Sequence, residues 1–516
     1  MRTMENKNQF KIGIFLSYIA IFLRIIIQLG YTPFMLRQLG QNEYGLYQLA
    51  NSVISYLSLF SLGFGGAYVR FYFRYKADDD LEGIAKLNGL FLIVFSVLSC
   101  IAVLAGLVLV KETHAIFRKS LTPQEIEITQ LLMKVLVFNL ALSFPASIFQ
   151  NFITAKEQFV WQRGLNLLTI LFNPFLSIIL LFMGYKAVAL VVATTIVSLF
   201  SFTINIWFCL GKLRMRFSFK QISPQLLKEI ALFSFFIFLN SIIDQINWSV
   251  DKFLLGMYVG SASIAVYSLG AVINNLYLQF STSISSVFGP QVNRIVSTSN
   301  DNHELTVVFT RIGRLQYLVL MLILTGFIFV GKPFTLLWAG KDYVQSYYVA
   351  LLLLIPVTIP LIQNLGIEIQ RAKNMHQFRS YVYLAIALFN ICLSIPLCQK
   401  YGAIGSAIGT AISLILGNGL IMNWYYDKKI GLDICYFWKE ILILSKGLIV
   451  PITFGCLINY YYVIETWKYL FCWGLVYVTL YSLSMYLFGI QAQEQQKIKR
   501  NVKKMYHKVF KKKTYK

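Results

Sequence analysis

The sequence predicts an all-α membrane protein of about fourteen transmembrane helices, built as two six-helix lobes plus two extra C-terminal helices. Three observations carry this reading. Hydrophobic residues make up 57% of the 516 positions and charged residues only 13%, against roughly 25% charged in an average soluble chain. The charges are clumped, and between the clumps run apolar stretches of about 20 residues, the length needed to cross ~30 Å of hydrocarbon as a helix. An internal repeat divides the first twelve stretches into two sets of six.

In lipid, every backbone polar group must be satisfied within its own segment, so the apolar stretches are helices. A transmembrane barrel would show ~10-residue segments of alternating polarity instead. The spans fall at roughly 11–36, 43–73, 87–110, 128–151, 162–183, 186–210, 229–258, 262–290, 313–338, 344–371, 378–398, 402–424, 440–463 and 466–488. The first is too long for the apolar region of a signal peptide and lacks a small-residue cleavage pattern before Arg37, so it reads as a span. Four regions follow: a lobe at 1–210, a second at 229–424, two further spans at 440–488, and a basic tail at 489–516.

The net charge of +24 invites a nucleic-acid partner, but its distribution argues against one. With the N-terminus in the cytoplasm, the inner segments hold 33 of the 46 Lys and Arg and the outer segments nine. Arg24, Lys134, Lys252 and Lys446 lie inside spans. That asymmetry is the positive-inside signal and puts both termini in the cytoplasm. The tail carries ten Lys and Arg against the single Glu494, a composition suited to anionic inner-leaflet lipids. The seven cysteines lie in or beside apolar runs, form no CxxC pair, and read as small apolar residues.

The repeat is legible in matched residues. Gly40…Tyr47-x-Leu49 recurs as Gly260…Tyr267-x-Leu269, 220 positions on. Leu171-Phe172-Asn173-x-x-Leu176-Ser177-Ile178 recurs as Leu388-Phe389-Asn390-x-x-Leu393-Ser394-Ile395, 217 positions on. Ala155-Lys156 matches Ala372-Lys373 and Trp207 matches Trp424 at the same offset. Six spans is an even number, so the halves share an orientation, the parallel-repeat pattern of transporters with two rocking lobes.

Polar residues inside a membrane are expensive and usually face a cavity or another helix. Span 1 carries Ser17, Arg24, Gln28 and Tyr31 on one face; span 2 carries Tyr47, Asn51, Ser55 and Ser58. Span 7 carries Asn240, Asp244, Asn247 and Asp251, and span 8 carries Asn275, Gln279, Thr282 and Ser286. Spans 1 and 2 are the counterparts of 7 and 8, so the simplest geometry points these stripes into a wet central cavity. Its candidate substrate contacts are Arg24, Gln28, Tyr31, Asn51, Asn247, Asp251, Lys252, Asn275 and Gln279. Arg24 and Asp244 are counterparts at the 220 offset, and a structural ion pair between them competes with separate functional roles. Asp251-Lys252 can also read as an anchoring pair that snorkels. Asp244 and Glu368 are candidates for a coupling proton or cation. Glu368 shares a face with Asn364 and Arg371 and follows Pro356 and Pro360, which should bend that helix; an inner-edge salt bridge is its alternative. Gly405, Gly409, Ser413 and Gly417 form a small-residue stripe for close helix packing.

Enzyme signals are weak. His114, His303, His376 and His507 lie in four separate loops or tails without metal-ligand spacing, and no cofactor motif is present. Asp78-Asp79-Asp80 resembles the acidic motif of sugar-nucleotide enzymes, but a short inner loop leaves no domain to hold a nucleotide, so it reads as a solvated turn.

The segment Tyr31-Thr-Pro33-Phe-Met-Leu-Arg37-Gln-Leu-Gly40-Gln-Asn-Glu-Tyr44-Gly45-Leu-Tyr47, with Leu62-Gly63-Phe-Gly65 after it, resembles the opening of bacterial polysaccharide-biosynthesis membrane proteins. These are flippases for lipid-linked repeat units of O-antigen and capsule, within the multidrug/oligosaccharidyl-lipid/polysaccharide exporter superfamily. Asp251-Lys252-Phe-Leu-Leu-Gly256…Tyr267 resembles the start of that family's second half. The resemblance implies alternating access, a bacterial inner-membrane location and a cationic cavity for a lipid-diphosphate headgroup, which Arg24 fits. It implies an undecaprenyl-diphosphate-linked oligosaccharide as substrate, with the pathway's polymerase and glycosyltransferases as expected protein partners. The acidic residues Asp244 and Asp251 depart from a uniformly positive cavity. A cation-driven drug exporter of the same superfamily is the runner-up. A polymerase or ligase would need a large outer loop, and the outer loops here are short.

Overall fold

The computed structural model describes residues 2–61, 64–220, 224–299, 301–375, 377–491 and 494–495, apart from the side chains of residues 2–11 and ten further helical positions that include Asn240 and Asp244. Among these residues the chain is helical almost throughout and contains no strand. The α-helices are α1 (Arg2–Ser58), α2 (Phe64–Ala77), α3 (Leu81–Phe117), α4 (Pro123–Ala155), α5 (Phe159–Phe182), α6 (Lys186–Trp207), α7 (Pro224–Tyr258), α8 (Ser261–Ser285), α9 (Gly289–Thr298), α10 (Asn302–Ala339), α11 (Gln345–Ile362), α12 (Leu365–Ala372), α13 (Gln377–Leu414), α14 (Asn423–Tyr425), α15 (Ile434–Ser445), α16 (Ile449–Tyr461) and α17 (Trp467–Ser484).

Eleven helices among the described residues are long and apolar enough to cross a membrane. The difference from fourteen has local causes. α1 and α13 are each broken by one glycine outside the helical region, Gly40 (φ 72°) and Gly402 (φ 58°). α7, 35 residues long, is not among the eleven. Pro356 and Pro360 lie inside α11, which ends two residues after the second of them, at Ile362, and the chain restarts as α12 at Leu365.

Capping chemistry sets several starts. Asp80 accepts from the Gly83 N–H at 2.7 Å to open α3, so the acidic triplet is a turn and helix cap. Thr122 and Glu125 form a reciprocal capping box before Pro123 opens α4. Asp301 and Asp433 cap α10 and α15.

The repeat is written into the backbone as well. Residues with positive φ recur at matching turns: Gly40 with Gly260, Glu157 with Asn374, Lys186 with Gly402, and Arg214 with Gly431. The π-helical segments Phe208–Lys212 and Tyr426–Ile430 also correspond, 218 positions apart. Left-handed backbone is costly for residues other than glycine, so its recurrence at Glu157 and Asn374 marks the same turn built twice.

The chain divides into two compact units, one of residues 1–269 and 383–410, the other of 270–382 and 411–516. In the first, an aromatic core of Tyr68, Tyr72, Phe91 and Phe95 locks α2 against α3, and the Tyr68 hydroxyl donates to Asn88 Oδ1 at 2.6 Å. In the second, Arg314 of α10 is 5% exposed and donates to Glu440 at 2.6 Å and Glu494 at 2.7 Å. The tail beyond Gln495, and with it the proposed lipid contact, lies outside the described residues. All seven cysteines are unbridged.

Candidate functional site

The first compact unit contains a caged carboxylate. Asp251, in the last third of α7, is 0% exposed. Tyr267 Oη donates to its Oδ2 at 2.6 Å, Thr410 Oγ1 to Oδ2 at 2.8 Å, and Ser406 Oγ to Oδ1 at 2.6 Å. Asn390 Oδ1 extends the cluster, 3.3 Å from Thr410 Oγ1 and 2.9 Å from Ser394 Oγ. The glycine stripe makes this possible. A Cβ at Gly405 would collide with the Leu397 carbonyl and one at Gly409 with Ser394. Only glycine therefore lets the two arms of α13 approach closely enough to bring Asn390 and Ser394 to Ser406 and Thr410. Among the described residues no Lys, Arg or His forms an ion pair with Asp251. A buried carboxylate surrounded by oxygens and lacking a cationic partner is suited to take a proton or a small hard cation, which prefers oxygen ligands.

The cationic candidates are also without carboxylate partners among the described residues. Arg24 is exposed, in a stretch flanked by Ile21, Phe22 and Ile26. Lys252 is half-buried, with Nζ 3.4 Å from Gln48 Oε1. Asp251 and Lys252 do not bond to each other: the two neighbours point to different partners. The side chain of Asp244 lies outside the described residues.

Of the remaining candidates, Gln28 and Tyr31 are half-buried on α1. Asn51 Nδ2 bonds its own helix at the Tyr47 carbonyl, 2.8 Å away. Asn247 is buried and donates to the Tyr383 carbonyl at 3.3 Å. Asn275 is exposed and Gln279 half-buried on α8 of the second unit. Glu368, also in the second unit, accepts from Arg371 Nη1 at 2.9 Å, the inner-edge salt bridge that was its alternative.

Sequence reasoning missed two features. The hydroxyl shell of Asp251 comes from Ser406 and Thr410, which sit beside the glycines of a stripe read as packing. A cavity of about 480 Å³ lies between α4, α5 and α6, and eleven of its seventeen lining residues are uncharged amides or hydroxyls, with no ionisable group. Its signal was present in the sequence: Gln162, Asn166, Thr169 and Asn173 in span 5, and Thr194, Ser198, Ser201 and Asn205 in span 6, each at 4, 3, 4 spacing.

Hydrogen bonds also tie α1 and α4 to α7 and α8 within this unit. Ser52 Oγ donates to the Ser249 carbonyl at 3.0 Å, and Ser261 Oγ to Glu125 Oε1 at 2.5 Å. Ser120 Oγ donates to the Gly256 carbonyl. Burial opposes ionisation of Glu125, but donation from Ser261 and Thr122 outweighs it and holds the carboxyl below its ordinary value.

A family described as polysaccharide biosynthesis proteins matches residues 34–348. The uncharacterized membrane protein EpsK of Bacillus subtilis (strain 168) is 22% identical, over 96% of this chain and 98% of its own. A putative O-antigen transporter of Shigella flexneri is 21% identical over 77% of this chain and 92% of its own. Among solved structures, the lipid II flippase MurJ in an inward closed conformation covers 92% of this chain and 98% of its own, with TM-score 0.72 at 18% identity. An inward-facing MATE-family multidrug resistance transporter of the MOP superfamily covers 81% and 99%, with TM-score 0.58 at 13% identity. At these identities the solved structures establish the fold.

Proposed function

The chain belongs to the polysaccharide biosynthesis protein family, and on that premise we propose that it is a flippase moving an undecaprenyl-diphosphate-linked oligosaccharide from the inner to the outer leaflet of a bacterial cytoplasmic membrane. It is a multi-pass transporter rather than an enzyme, as its family, its O-antigen transporter relative and its flippase-like fold support. The observation that carries the reading is Arg24: an exposed guanidinium inside an apolar span, with no ion pair among the described residues. Such a residue is tolerated where it meets an anion, and guanidinium pairs with phosphate through two parallel hydrogen bonds. Lys252, bonded to Gln48 but without a carboxylate partner among the described residues, is a second contact for the diphosphate. The membrane potential, positive outside, favours outward movement of an anion by roughly 2.3 kcal/mol per charge per 100 mV.

The six-span halves, 1–210 and 229–424, act as the rocking lobes. The bonds from Ser52 to Ser249 and from Ser261 to Glu125 close the outer end on the topology read from the sequence, and outward opening breaks them. Asp251, rather than Asp244 or Glu368, is the coupling group, because a caged carboxylate changes its affinity for a proton or cation when the cage opens to water. Such a cage would also serve a cation-coupled drug exporter, but the match to the polysaccharide biosynthesis family favours the lipid-linked sugar.

The test is a deletion strain. Loss of surface polysaccharide, with lipid-linked repeat units accumulating on the cytoplasmic face and recovery on complementation, is the expected result. Unchanged polymer with no accumulation would overturn the reading.

A further inference from the structure

We propose that the cavity between α4, α5 and α6 is a saccharide site, which holds the neutral, hydroxyl-rich part of the cargo apart from its charged part. The identity of the cargo rests on the flippase reading above; the chemistry of the site does not. Amides and hydroxyls both donate and accept hydrogen bonds, as sugar hydroxyls do. A diphosphate would call for a cation, a coupling ion for a carboxylate, and a polyprenyl chain for walls of apolar residues; the lining supplies neither charge, and eleven of its seventeen residues carry an amide or a hydroxyl. At about 480 Å³ the space falls within the ~300–1,000 Å³ of small-molecule sites.

The repeat supplies an independent argument. Asn173, Ser177 and Thr194 are the first-half counterparts of Asn390, Ser394 and Thr410 in the cage around Asp251. They form a similar chain: Asn173 Nδ2 donates to Thr194 Oγ1 at 3.3 Å and Ser177 Oγ to Asn173 Oδ1 at 3.3 Å. At the 220 offset, the position of Asp251 is taken by Tyr31, whose buried hydroxyl lies near Ser177 without hydrogen-bond geometry to any partner. The same scaffold thus occurs twice, once around a carboxylate and once without charge. Asn173 and Thr194 face the cavity, and Ser201, also on its wall, has a buried hydroxyl with no partner. By the charge distribution of the loops, the cavity lies in the cytoplasmic half of the bilayer, where such a cargo would be loaded.

The test uses the full chain in lipid nanodiscs and two probes. The first is a panel of methyl pyranosides, neutral and N-acetylated, followed by saturation-transfer NMR. The second is undecaprenyl diphosphate without sugar, followed by equilibrium binding. At least one pyranoside should show transfer that falls roughly tenfold in Asn166→Leu/Thr169→Val, while binding of the bare lipid is unchanged. Asn166 suits the substitution because its amide makes no side-chain hydrogen bond to a described residue. If the double variant does not fold, Thr169→Val alone should show a several-fold loss. Absence of transfer from every pyranoside, or transfer unaltered in both variants, overturns the saccharide site whatever the lipid does. Failure of the bare lipid to bind, with pyranoside transfer intact, overturns the flippase reading and leaves the site standing.

Discussion

Replacing Asp251 with asparagine separates a coupling role from a structural one. Three hydroxyls donate to the carboxylate at 2.6, 2.6 and 2.8 Å. Leucine would orphan all three at ~1–3 kcal/mol each and confound function with folding. Asparagine keeps one oxygen for Tyr267 and Thr410 and presents an NH₂ to Ser406, whose hydroxyl can rotate to accept. The folding penalty should therefore be near the ~1 kcal/mol of one exchanged hydrogen bond. The loss to a bound cation is larger. At ~2.5 Å from a carboxylate oxygen and an effective dielectric of ~20, the Coulomb attraction is roughly 6–7 kcal/mol. Dehydration of the ion consumes much of this; a residue of ~3 kcal/mol is about a hundredfold in affinity. The assay is thermal unfolding of the purified protein across sodium concentration and pH, since a ligand at ~100 Kd stabilises by ~2.7 kcal/mol, alongside export in the deletion strain. The wild type should show a shift with one of the two ions; Asp251→Asn should unfold near the unliganded wild-type temperature, lose the shift and lose export. An Asp251→Asn protein that exports normally and keeps the ion dependence would refute the coupling role.

Arg24→Ala should abolish export without preventing insertion, and Arg24→Lys should restore it only in part because ammonium lacks the bidentate fork; normal polymer from Arg24→Ala removes this residue from the site. Breaking the buried triad by Arg314→Ala should destabilise by ~3–5 kcal/mol, whereas Arg314→Met with Glu440→Leu should recover most of it, as read by chemical denaturation in detergent. The lowered Glu125 carboxyl favours the Ser261 contact when ionised, so that contribution is complete above the ordinary carboxylate range and is lost as pH falls through the lowered value. Labelling of an engineered Ser120→Cys, taken relative to a freely exposed control cysteine at each pH because the thiolate is the reactive form, should accordingly rise in acid with Glu125 intact and stay constant in Glu125→Gln; identical relative profiles would exclude Glu125 as the sensor. Cysteines engineered in 111–127 should label in intact cells while those in the tail stay protected, and the reverse pattern would invert the topology.

The fold was legible because it depends on quantities that sequence carries directly: apolar run length, charge asymmetry and repetition. The site was half legible. Asp251 stood out as a charge in an apolar span, and its polar stripe placed it on a helix face. Its hydroxyl partners did not stand out, because Ser406 and Thr410 sit beside Gly405 and Gly409, whose spacing already had a sufficient explanation in packing. The two readings are one, since the glycines create the approach that the hydroxyls use. The α4–α6 cavity was overlooked because its stripes contain no charge, and charge drew attention to spans 1, 2, 7 and 8. Pairing was legible only where helix spacing decides it: Glu368 and Arg371 stand at i, i+3 and join, whereas adjacent residues such as Asp251 and Lys252 do not face each other.

The turns at Gly40, Gly184, Gly260 and Gly402 have a consequence beyond folding. On the sequence-derived topology all four lie at the external face, where they reverse the chain in a residue or two. That face offers little that an antibody could grip, a protease could cut or a phage could adopt as a receptor. An epitope tag meant to report the protein from outside is best placed in 118–122 or 462–466, where the chain between α3 and α4 and between α16 and α17 leaves helical geometry for five residues each.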